Sequence, residues 1–490
     1  MTGRKADRRR PAATVASAVV TAALLLGADP AALAGPAATP GSPGLGDKLL
    51  PGLGNGGYDA QKYTVDYRFE PGVSTMDSRT TMVAVATQEL SRFTMDFAGG
   101  TVSEVQVNGQ RAPFAIEGEE LVITPARPLR KGRSFTTEVR YVADRDAKVA
   151  SPVDETAGWG RNSDGGFSFW SQPDRAHLFF PSNDHPSDKA QFVFRVDVPQ
   201  GWNVVANGLL HSWTNNGGRD RFEYRTVHPI TTQISQVAVG KLTTVPGTGP
   251  GGLPLRSAVP TDKAGAVRPA LDKIPAHLAW LENKLGRRFP LETYGVLGVH
   301  GPSPVNTWAL ENATLSTFPV SSLLNAEEVE PVMVHEAAHQ WFGNSVSFAG
   351  FSDVWLSEGF ATYFDHLWTA ETTKKPMGEM FRQAYERDQQ IRDEAGSIVV
   401  SPIPEAIFGL ARGGGSLVVY ALRQQAGEQG FQRIMQAFLD RFRDRSATTE
   451  QFQRLVTEVG GPETGAVLDA WLHAKRTPPM PGHPDWKPGS

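Results

Sequence analysis

Residues 334–343 read Val334-His335-Glu336-Ala337-Ala338-His339-Gln340-Trp341-Phe342-Gly343, and no other segment of the chain carries a comparable signal. Apolar residues surround this segment, Pro331 suits the first turn of a helix, and Gly343 suits a C-terminal cap. We therefore predict a helix here. On that helix His335 and His339 are one turn apart and project from the same face.

Two imidazoles on one helix face can bind a single Zn²⁺ through their neutral nitrogens. Glu336 is about 100° round the helix from His335. It can therefore lie beside the metal without ligating it, where the base that deprotonates an activated water belongs. The alternative is a pair of surface histidines with a Glu between them, but an unpaired Glu would be costly in so apolar a segment.

Catalytic zinc usually takes three protein ligands, so a third is required. Glu358 is the candidate, because it follows His339 by 19 positions in a second apolar segment, residues 354–364. Ser352 or Asp353 can cap the helix predicted there. The alternative role for Glu358 is to complement the helix dipole in the first turn.

Two segments together resemble the zinc signature of the aminopeptidase N-like metallopeptidases, peptidase family M1. They are His335-Glu336-Ala337-Ala338-His339-Gln340-Trp341-Phe342-Gly343-Asn344 and Trp355-Leu356-Ser357-Glu358-Gly359-Phe360-Ala361. The resemblance implies an α+β chain, with an N-terminal all-β domain followed by a mainly α, thermolysin-like zinc metallopeptidase domain. It also implies one Zn²⁺ per chain and aminopeptidase activity.

Two further segments extend the resemblance to substrate recognition. Trp308-Ala309-Leu310-Glu311-Asn312 resembles the family's Gly-Ala-Met-Glu-Asn exopeptidase motif, in which the Glu binds the substrate's α-ammonium group. A fixed carboxylate at the closed end of a cleft would select a cationic N-terminus. Gln172, in Trp170-Ser171-Gln172, would be a second recogniser of the amine, with a structural role as the alternative.

The sequence departs from the family pattern at two positions. Trp308 replaces the Gly of the exopeptidase motif and could narrow the first specificity pocket. The family's Tyr that hydrogen-bonds the oxyanion precedes a Gly-rich helix start, and without a gap that position holds Arg412. Our hypothesis is that Arg412 substitutes for the Tyr as an oxyanion donor. Tyr420 is the other candidate, although it falls inside the predicted helix.

Composition and the N-terminus define the class of protein. The 490-residue chain has no Cys, which excludes disulfides and thiolate chemistry, and its net charge of −4 gives no basic footprint for nucleic acid. Five basic residues precede a short apolar run over 15–26, and Ala32-Leu33-Ala34 suits a cleavage site. We expect residues 1–34 to be a signal peptide and the mature chain to be secreted. A retained anchor is the alternative.

Patterning along the chain predicts the domain organisation. We expect a flexible leader at 35–57, an all-β domain at 58–245, a Gly/Pro-rich linker at 246–252, a catalytic domain at 253–480 and a tail at 481–490. In the catalytic domain we predict a strand at 294–300 and helices at 264–285, 331–342, 353–370, 377–394, 416–427, 430–444 and 448–459.

The sequence therefore predicts a secreted, zinc-dependent aminopeptidase that acts on peptides with a free N-terminus. We expect a monomer with no nucleic-acid partner and no membrane span. Two alternatives remain open. One is a zinc-binding but catalytically weak peptide-binding homologue, suggested by Arg412 and Trp308, and the other is an endopeptidase. A serine hydrolase is unsupported because the sequence contains no G-x-S-x-G.

Overall fold

A computed structural model describes residues 37–149, 153, 157–300, 309–399 and 406–488. The predicted signal peptide, residues 1–34, lies outside the described residues, and so does Trp308. From Ala38 onward the chain forms one compact unit. Strands dominate it up to residue 260 and helices dominate from residue 268, which confirms the predicted fold class.

The first half of the chain is built from strands whose side chains alternate between core and solvent. Tyr63, Val65 and Tyr67 point inward and are at most 2% exposed, while their neighbours face outward. The strands are β1 (Thr39–Pro40), β2 (Tyr58–Arg68), β3 (Thr75–Ala86), β4 (Leu90–Asp96), β5 (Gly100–Val107), β6 (Gln110–Arg111), β7 (Phe114–Glu117), β8 (Glu120–Ile123), β9 (Ser134–Asp144), β10 (Gly158–Arg161), β11 (Phe167–Trp170), β12 (Lys189–Pro199), β13 (Asn203–Ala206), β14 (Leu209–Asn215), β15 (Arg219–Arg225), β16 (Ile230–Thr231) and β17 (Val237–Gly240).

These strands form three sheets. The largest has the order β14-β15-β12-β2-β3-β9-β5-β6, with β16 paired to the start of β12. Its pairs are antiparallel except for β2 and β12, which run parallel. The smaller sheets are β1-β4-β8-β7 and β10-β11-β17-β13. The last of these carries the predicted recognition residue Gln172 just beyond β11.

The segment 37–57 is folded against both halves of the chain, so the prediction of a flexible leader was wrong for these residues. Asp47 connects this segment to both halves. One oxygen of its carboxylate accepts hydrogen bonds from the backbone amides of Leu49 and Leu50 at 2.8 and 3.0 Å. Its other oxygen accepts from the amide of Phe351 at 2.8 Å and lies 3.4 Å from His185 Nε2. The flexible leader was predicted from the Gly, Pro and Ser content of the segment and its lack of apolar periodicity. Neither feature reveals contacts with residues that are remote in sequence.

We expect Asp47→Asn to lower the free energy of unfolding by about 1.5–3 kcal/mol, because hydrogen bonds to a charged acceptor contribute that much. Burial by itself would raise the pKa of Asp47, but the hydrogen bonds from His185 and the backbone lower it to about 2. The contribution is therefore complete above about pH 4 and is lost as the pH falls towards 2. Denaturant unfolding with exposed Asp77→Asn as the control measures it, and equal stabilities would contradict the role.

The predicted linker is a β-hairpin. Strand β18 (Leu242–Thr248) extends through residues 246–248 of the predicted linker. It pairs antiparallel with β19 (Pro254–Pro260). Gly251 and Gly252 take positive φ angles of 65° and 83° in the turn between them. The Gly-rich composition thus serves a tight turn. β20 (Val296–Val299) and β21 (Ser316–Pro319) complete this sheet in the order β18-β19-β20-β21.

The helical half follows, with a short parallel pair of β22 (Val346–Phe348) and β23 (Arg445–Ala447). The helix predicted at 264–285 is divided in two, with Pro269 and Pro275 each in a first turn. The helices are α1 (Arg268–Leu271), α2 (Ile274–Leu285), α3 (Glu330–Ala338), α4 (Trp355–Thr373), α5 (Met377–Ala395), α6 (Ile407–Phe442), α7 (Thr449–Gly460) and α8 (Pro462–His473).

Helix α6 joins the two helices predicted at 416–427 and 430–444, with an irregular residue at Gly427 between them. It also begins earlier than predicted, because Gly413, Gly414 and Gly415 are helical. Gly415 packs directly on the backbone of α4: a Cβ on Gly359 would lie 2.7 Å from the Gly415 carbonyl carbon. Backbone contact with α4 therefore outweighs the low helix propensity of glycine.

The C-terminal segment after residue 480 also packs on the helical half. Trp486 is 9% exposed and stacks on Tyr420, whose hydroxyl lies 2.8 Å from His483 Nε2. Across the residues that the structure describes, no helix combines the length and the apolar character needed to cross a lipid bilayer.

Candidate active site

Helix α3 presents the two candidate histidine ligands at its C-terminal end. The helix ends at Ala338, four residues earlier than predicted, but His339 keeps helical backbone angles and its amide bonds the His335 carbonyl at 3.2 Å. The two imidazoles therefore remain one turn apart on one face. His335 is 6% exposed and His339 is fully buried.

Three ligand atoms converge where the sequence predicts a metal. His335 Nε2 and His339 Nε2 are 3.1 Å apart, and Glu358 Oε2 from α4 lies 3.6 and 3.9 Å from them. Tetrahedral zinc with ligand bonds of about 2.0–2.1 Å requires ligand atoms about 3.3–3.4 Å apart. The triangle therefore has approximately the size and the donor atoms of a zinc site.

The other nitrogen of each imidazole has a hydrogen-bond partner that fixes the ring. His335 Nδ1 lies 3.0 Å from Asp365 Oδ2, and His339 Nδ1 lies 2.9 Å from Ser357 Oγ and 3.1 Å from the Phe342 carbonyl oxygen. Such contacts orient metal-binding imidazoles, and a metal that binds takes the place of the proton on Nε2. Both rings are thus held with Nε2 directed at Glu358.

Electrostatics favour a cation at this site. Burial opposes the charged form of His335, but its contacts with Asp365 and Glu358 outweigh that and raise the pKa of His335 to about 10. Burial would also raise the pKa of Glu358, yet Arg412 and the two histidines hold that pKa well below its ordinary range. The carboxylate is therefore ionised, which suits a metal ligand.

Glu336 lies beside the ligand triangle as predicted from its position on the helix. It is 3% exposed, and within the described part of the chain its Oε2 has no hydrogen-bond partner. Burial, reinforced by the charges of Glu311 and Glu358, raises the pKa of Glu336 to about 8. A divalent cation would favour the ionised form. An unpartnered buried carboxylate oxygen at this position fits a group that handles the proton of a water.

Glu311 adjoins the same site. One ligand atom each of Glu311, Glu336 and His339 lies within 4.8 Å of the others. The Glu311 carbonyl accepts a hydrogen bond from Asn344 Nδ2 at 2.7 Å, which ties it to the loop after α3. Gln172 Nε2 donates to Glu311 Oε1 at 2.5 Å. The two residues predicted to recognise the amine therefore meet, one from each half of the chain.

Asn312 explains how the strand half positions Glu311. Its Nδ2 donates to the Ser235 carbonyl at 3.1 Å, and its Oδ1 accepts from Gln236 Nε2 at 3.2 Å. Lys189 adds a second connection, because its Nζ donates to the carbonyls of Asn344 and Ser345 at 2.7 and 2.8 Å. The amine-binding side of the site thus depends on contacts between the two halves.

The two candidates for the oxyanion donor differ in position. Arg412 lies at the metal site, where its Nε donates to Glu358 Oε2 at 2.9 Å. Tyr420 stacks on Phe381 with ring centroids 4.3 Å apart, and its hydroxyl contacts His483. Tyr420 therefore has the packing role that its place inside the helix favours.

Asp365 and Ser357, the side-chain partners of the two histidines, were not predicted from the sequence. Asp365 follows Glu358 by seven positions, so it lies two turns further along α4 on the same face. That spacing was an available signal. Ser357 had none, because its contact depends on how α4 packs against the loop after α3.

Comparison with known proteins places these features in context. The chain matches the Peptidase family M1 domain over residues 269–471. Human glutamyl aminopeptidase is 25% identical over 325 residues, which cover 61% of this chain and 33% of that protein. Probable aminopeptidase 1 of Sulfurisphaera tokodaii is 22% identical over 417 residues, which cover 80% and 49%. The chain thus spans between a third and a half of the length of these curated relatives.

Solved structures match over nearly their whole length. The M1 zinc metallopeptidase from Deinococcus radiodurans is 30% identical, with a TM-score of 0.79, and the match covers 91% of this chain and 99% of that one. A mutant of a two-domain M1 zinc metallopeptidase bound to L-arginine has a TM-score of 0.80 at 30% identity, covering 89% and 99%. A Deinococcus radiodurans mutant bound to a Tyr-Ser-Ala substrate has a TM-score of 0.79 at the same identity and coverage.

Proposed function

The chain belongs to peptidase family M1, and on this premise we propose that it is a zinc-dependent aminopeptidase that removes N-terminal residues from peptides. The observation that carries the proposal is the pairing of two sites: the triangle of His335, His339 and Glu358, and Glu311 beside it. The first can hold a hydrolytic metal, and the second can hold a free amine next to it. The matched structures with bound L-arginine and Tyr-Ser-Ala support this pairing by similarity.

The side chains of the site have different roles in hydrolysis. Zn²⁺ held by His335, His339 and Glu358 would supply Lewis-acid polarisation of the scissile carbonyl and lower the pKa of a water. Glu336 accepts a proton from the attacking water at its buried Oε2 and later donates it to the leaving amine nitrogen. Its fixed position in α3 keeps it beside the ligands without joining them.

Recognition of the N-terminus follows from Glu311. Its carboxylate, supported by Gln172, pairs with the substrate's α-ammonium group and so sets which peptide bond reaches Glu336. A peptide without a charged N-terminus would leave the buried Glu311 carboxylate without a cationic partner from the substrate, which is costly. This difference is the physical basis for exopeptidase rather than endopeptidase action.

We also propose that the mature protein is secreted. The support is the sequence of residues 1–34, in which a basic start, an apolar run and Ala32-Leu33-Ala34 follow in the order of a cleavable signal peptide. Action as a monomer remains our expectation. Export of the full-length chain from a host cell, with the mature N-terminus read by mass spectrometry, tests the proposal.

Metal analysis combined with a substrate panel tests the activity. We expect one zinc per chain and hydrolysis of aminoacyl amides, with loss of turnover on chelation and recovery on adding zinc. Equal cleavage of N-acetylated and free peptides would favour the endopeptidase alternative. Stoichiometric zinc without turnover of any aminoacyl amide would favour the catalytically weak homologue and contradict our proposal.

A further inference from the structure

Arg412 is hydrogen-bonded to the carboxylate of Glu358, one of the three candidate metal ligands. Its Nε donates at 2.9 Å to Glu358 Oε2, the same oxygen that faces both histidine nitrogens. A carboxylate oxygen has more than one lone pair, so it can accept this hydrogen bond and still ligate a metal. The guanidinium therefore contacts the ligand itself at the atom that would bind zinc.

The charges around Arg412 explain why a cation is placed there. The Glu358 side chain is 1% exposed. Glu311 and Glu336 are also buried, and each places a carboxylate oxygen within 4.8 Å of His339, the residue that lies beside Glu358. Several acidic groups in one buried site repel one another, and each is costly without a counter-charge. Arg412 supplies that charge whether or not a metal is bound.

The packing of α4 against α6 places Arg412 beside Glu358. Gly359, next to Glu358, touches Gly415, and a Cβ on Gly415 would lie 3.2 Å from Gly359 Cα and from Trp355 Cβ. Arg412 precedes Gly415 by three positions, so it occupies the same face of α6 one turn earlier. The close approach of the two backbones thus sets how far Arg412 must reach.

From these contacts we propose that Arg412 is a positioning residue for the zinc ligand Glu358. It fixes the carboxylate's orientation through Nε and balances the acidic charge of the site. The inference rests on the proposed function, since it takes the three-ligand site to be a zinc site. It also differs from the hypothesis that Arg412 is the oxyanion donor, because a positioning residue acts on the affinity for zinc before any substrate binds.

Zinc titration of the metal-free full chain against a competing chromophoric chelator tests the inference without substrate. We expect Arg412→Ala to weaken zinc binding by about 10- to 100-fold, as loss of a hydrogen-bond partner of a ligand does elsewhere. Arg412→Lys should recover part of the loss, because it restores the charge without the Nε donor. Arg433→Ala, exposed on the same helix, is the matched control and should bind zinc as the wild type does.

The alternatives give different results in the same experiments. Unchanged zinc affinity in Arg412→Ala, with kcat lowered by about 10²- to 10³-fold, would overturn positioning and assign Arg412 to the oxyanion. If circular dichroism shows that Arg412→Ala does not fold, the zinc affinity of Arg412→Lys becomes the test. An affinity equal to that of the wild type would show that the Nε donor is not needed and would overturn the inference. A wild type that binds zinc but hydrolyses no aminoacyl amide would contradict the proposed function alone.

Discussion

Glu336→Gln should bind zinc within about three-fold of the wild type and lose hydrolysis of aminoacyl amides by about 10²- to 10⁴-fold in kcat, the range for a general base. The three ligand atoms are unchanged by the substitution, and the amide has nearly the shape of the carboxylate. The amide cannot accept the proton of a water, however. Zinc content by mass spectrometry and turnover of a fluorogenic aminoacyl amide measure the two effects separately.

The control is Glu328→Gln, an exposed Glu just before α3, which should leave both zinc content and turnover unchanged. Normal turnover in Glu336→Gln would show that another group takes the proton. Loss of zinc from Glu336→Gln would show that Glu336 helps to hold the metal, and its assignment as a base beside the ligands would then be wrong.

Glu311→Gln should lower kcat/KM for substrates with a free N-terminus by about 100-fold, the upper range for a hydrogen-bonded charged group. The amide keeps the contact distance to Gln172 but loses the charge that pairs with the α-ammonium. We expect the matching N-acetylated substrates to be turned over slowly by the wild type, and Glu311→Gln should hardly change that rate. The ratio of the two kcat/KM values is therefore the quantity to measure.

Glu379→Gln, an exposed residue of α5, is the matched control for Glu311→Gln. Gln172→Ala should have a smaller effect, because it removes a neutral partner of Glu311 and leaves the charge in place. An undiminished preference for free N-termini in Glu311→Gln would mean that another group recognises the amine. In that case the zinc chemistry would stand and the exopeptidase assignment would not.

The ligand triangle could be predicted from sequence because its signals are local. His335 and His339 are four residues apart on one helix, and Glu358 lies near the start of the next. Helix periodicity alone predicts that the two histidines project from the same face. Glu311 and Gln172 were predicted from their resemblance to motifs of family M1. They are 139 positions apart in the chain, and the structure brings them into contact.

Features that depend on remote contacts could not be predicted in this way. Asp47 accepts a hydrogen bond from the Phe351 amide, 304 positions later in the chain. Local composition does not reveal so remote a contact, and for this reason it predicted a flexible segment. The glycines at 413–415 favour a break on propensity, whereas in the structure they are helical and Gly415 packs on Gly359 of α4. Pro462 indicates a turn after Gly461, yet it also fits the first turn of α8, which we did not predict.

The contact between Gly359 and Gly415 has a practical use for enzyme engineering. Because neither residue carries a side chain, the spacing between α4 and α6 is fixed by the main chain itself. The side chain at position 412 can therefore be exchanged without changing the distance between α4 and α6, so that the effect on the Glu358 carboxylate comes from that side chain alone. Residue 412 is thus the position at which the surroundings of the Glu358 carboxylate can be altered separately from the fold, whereas a side chain at either glycine would push the two helices apart.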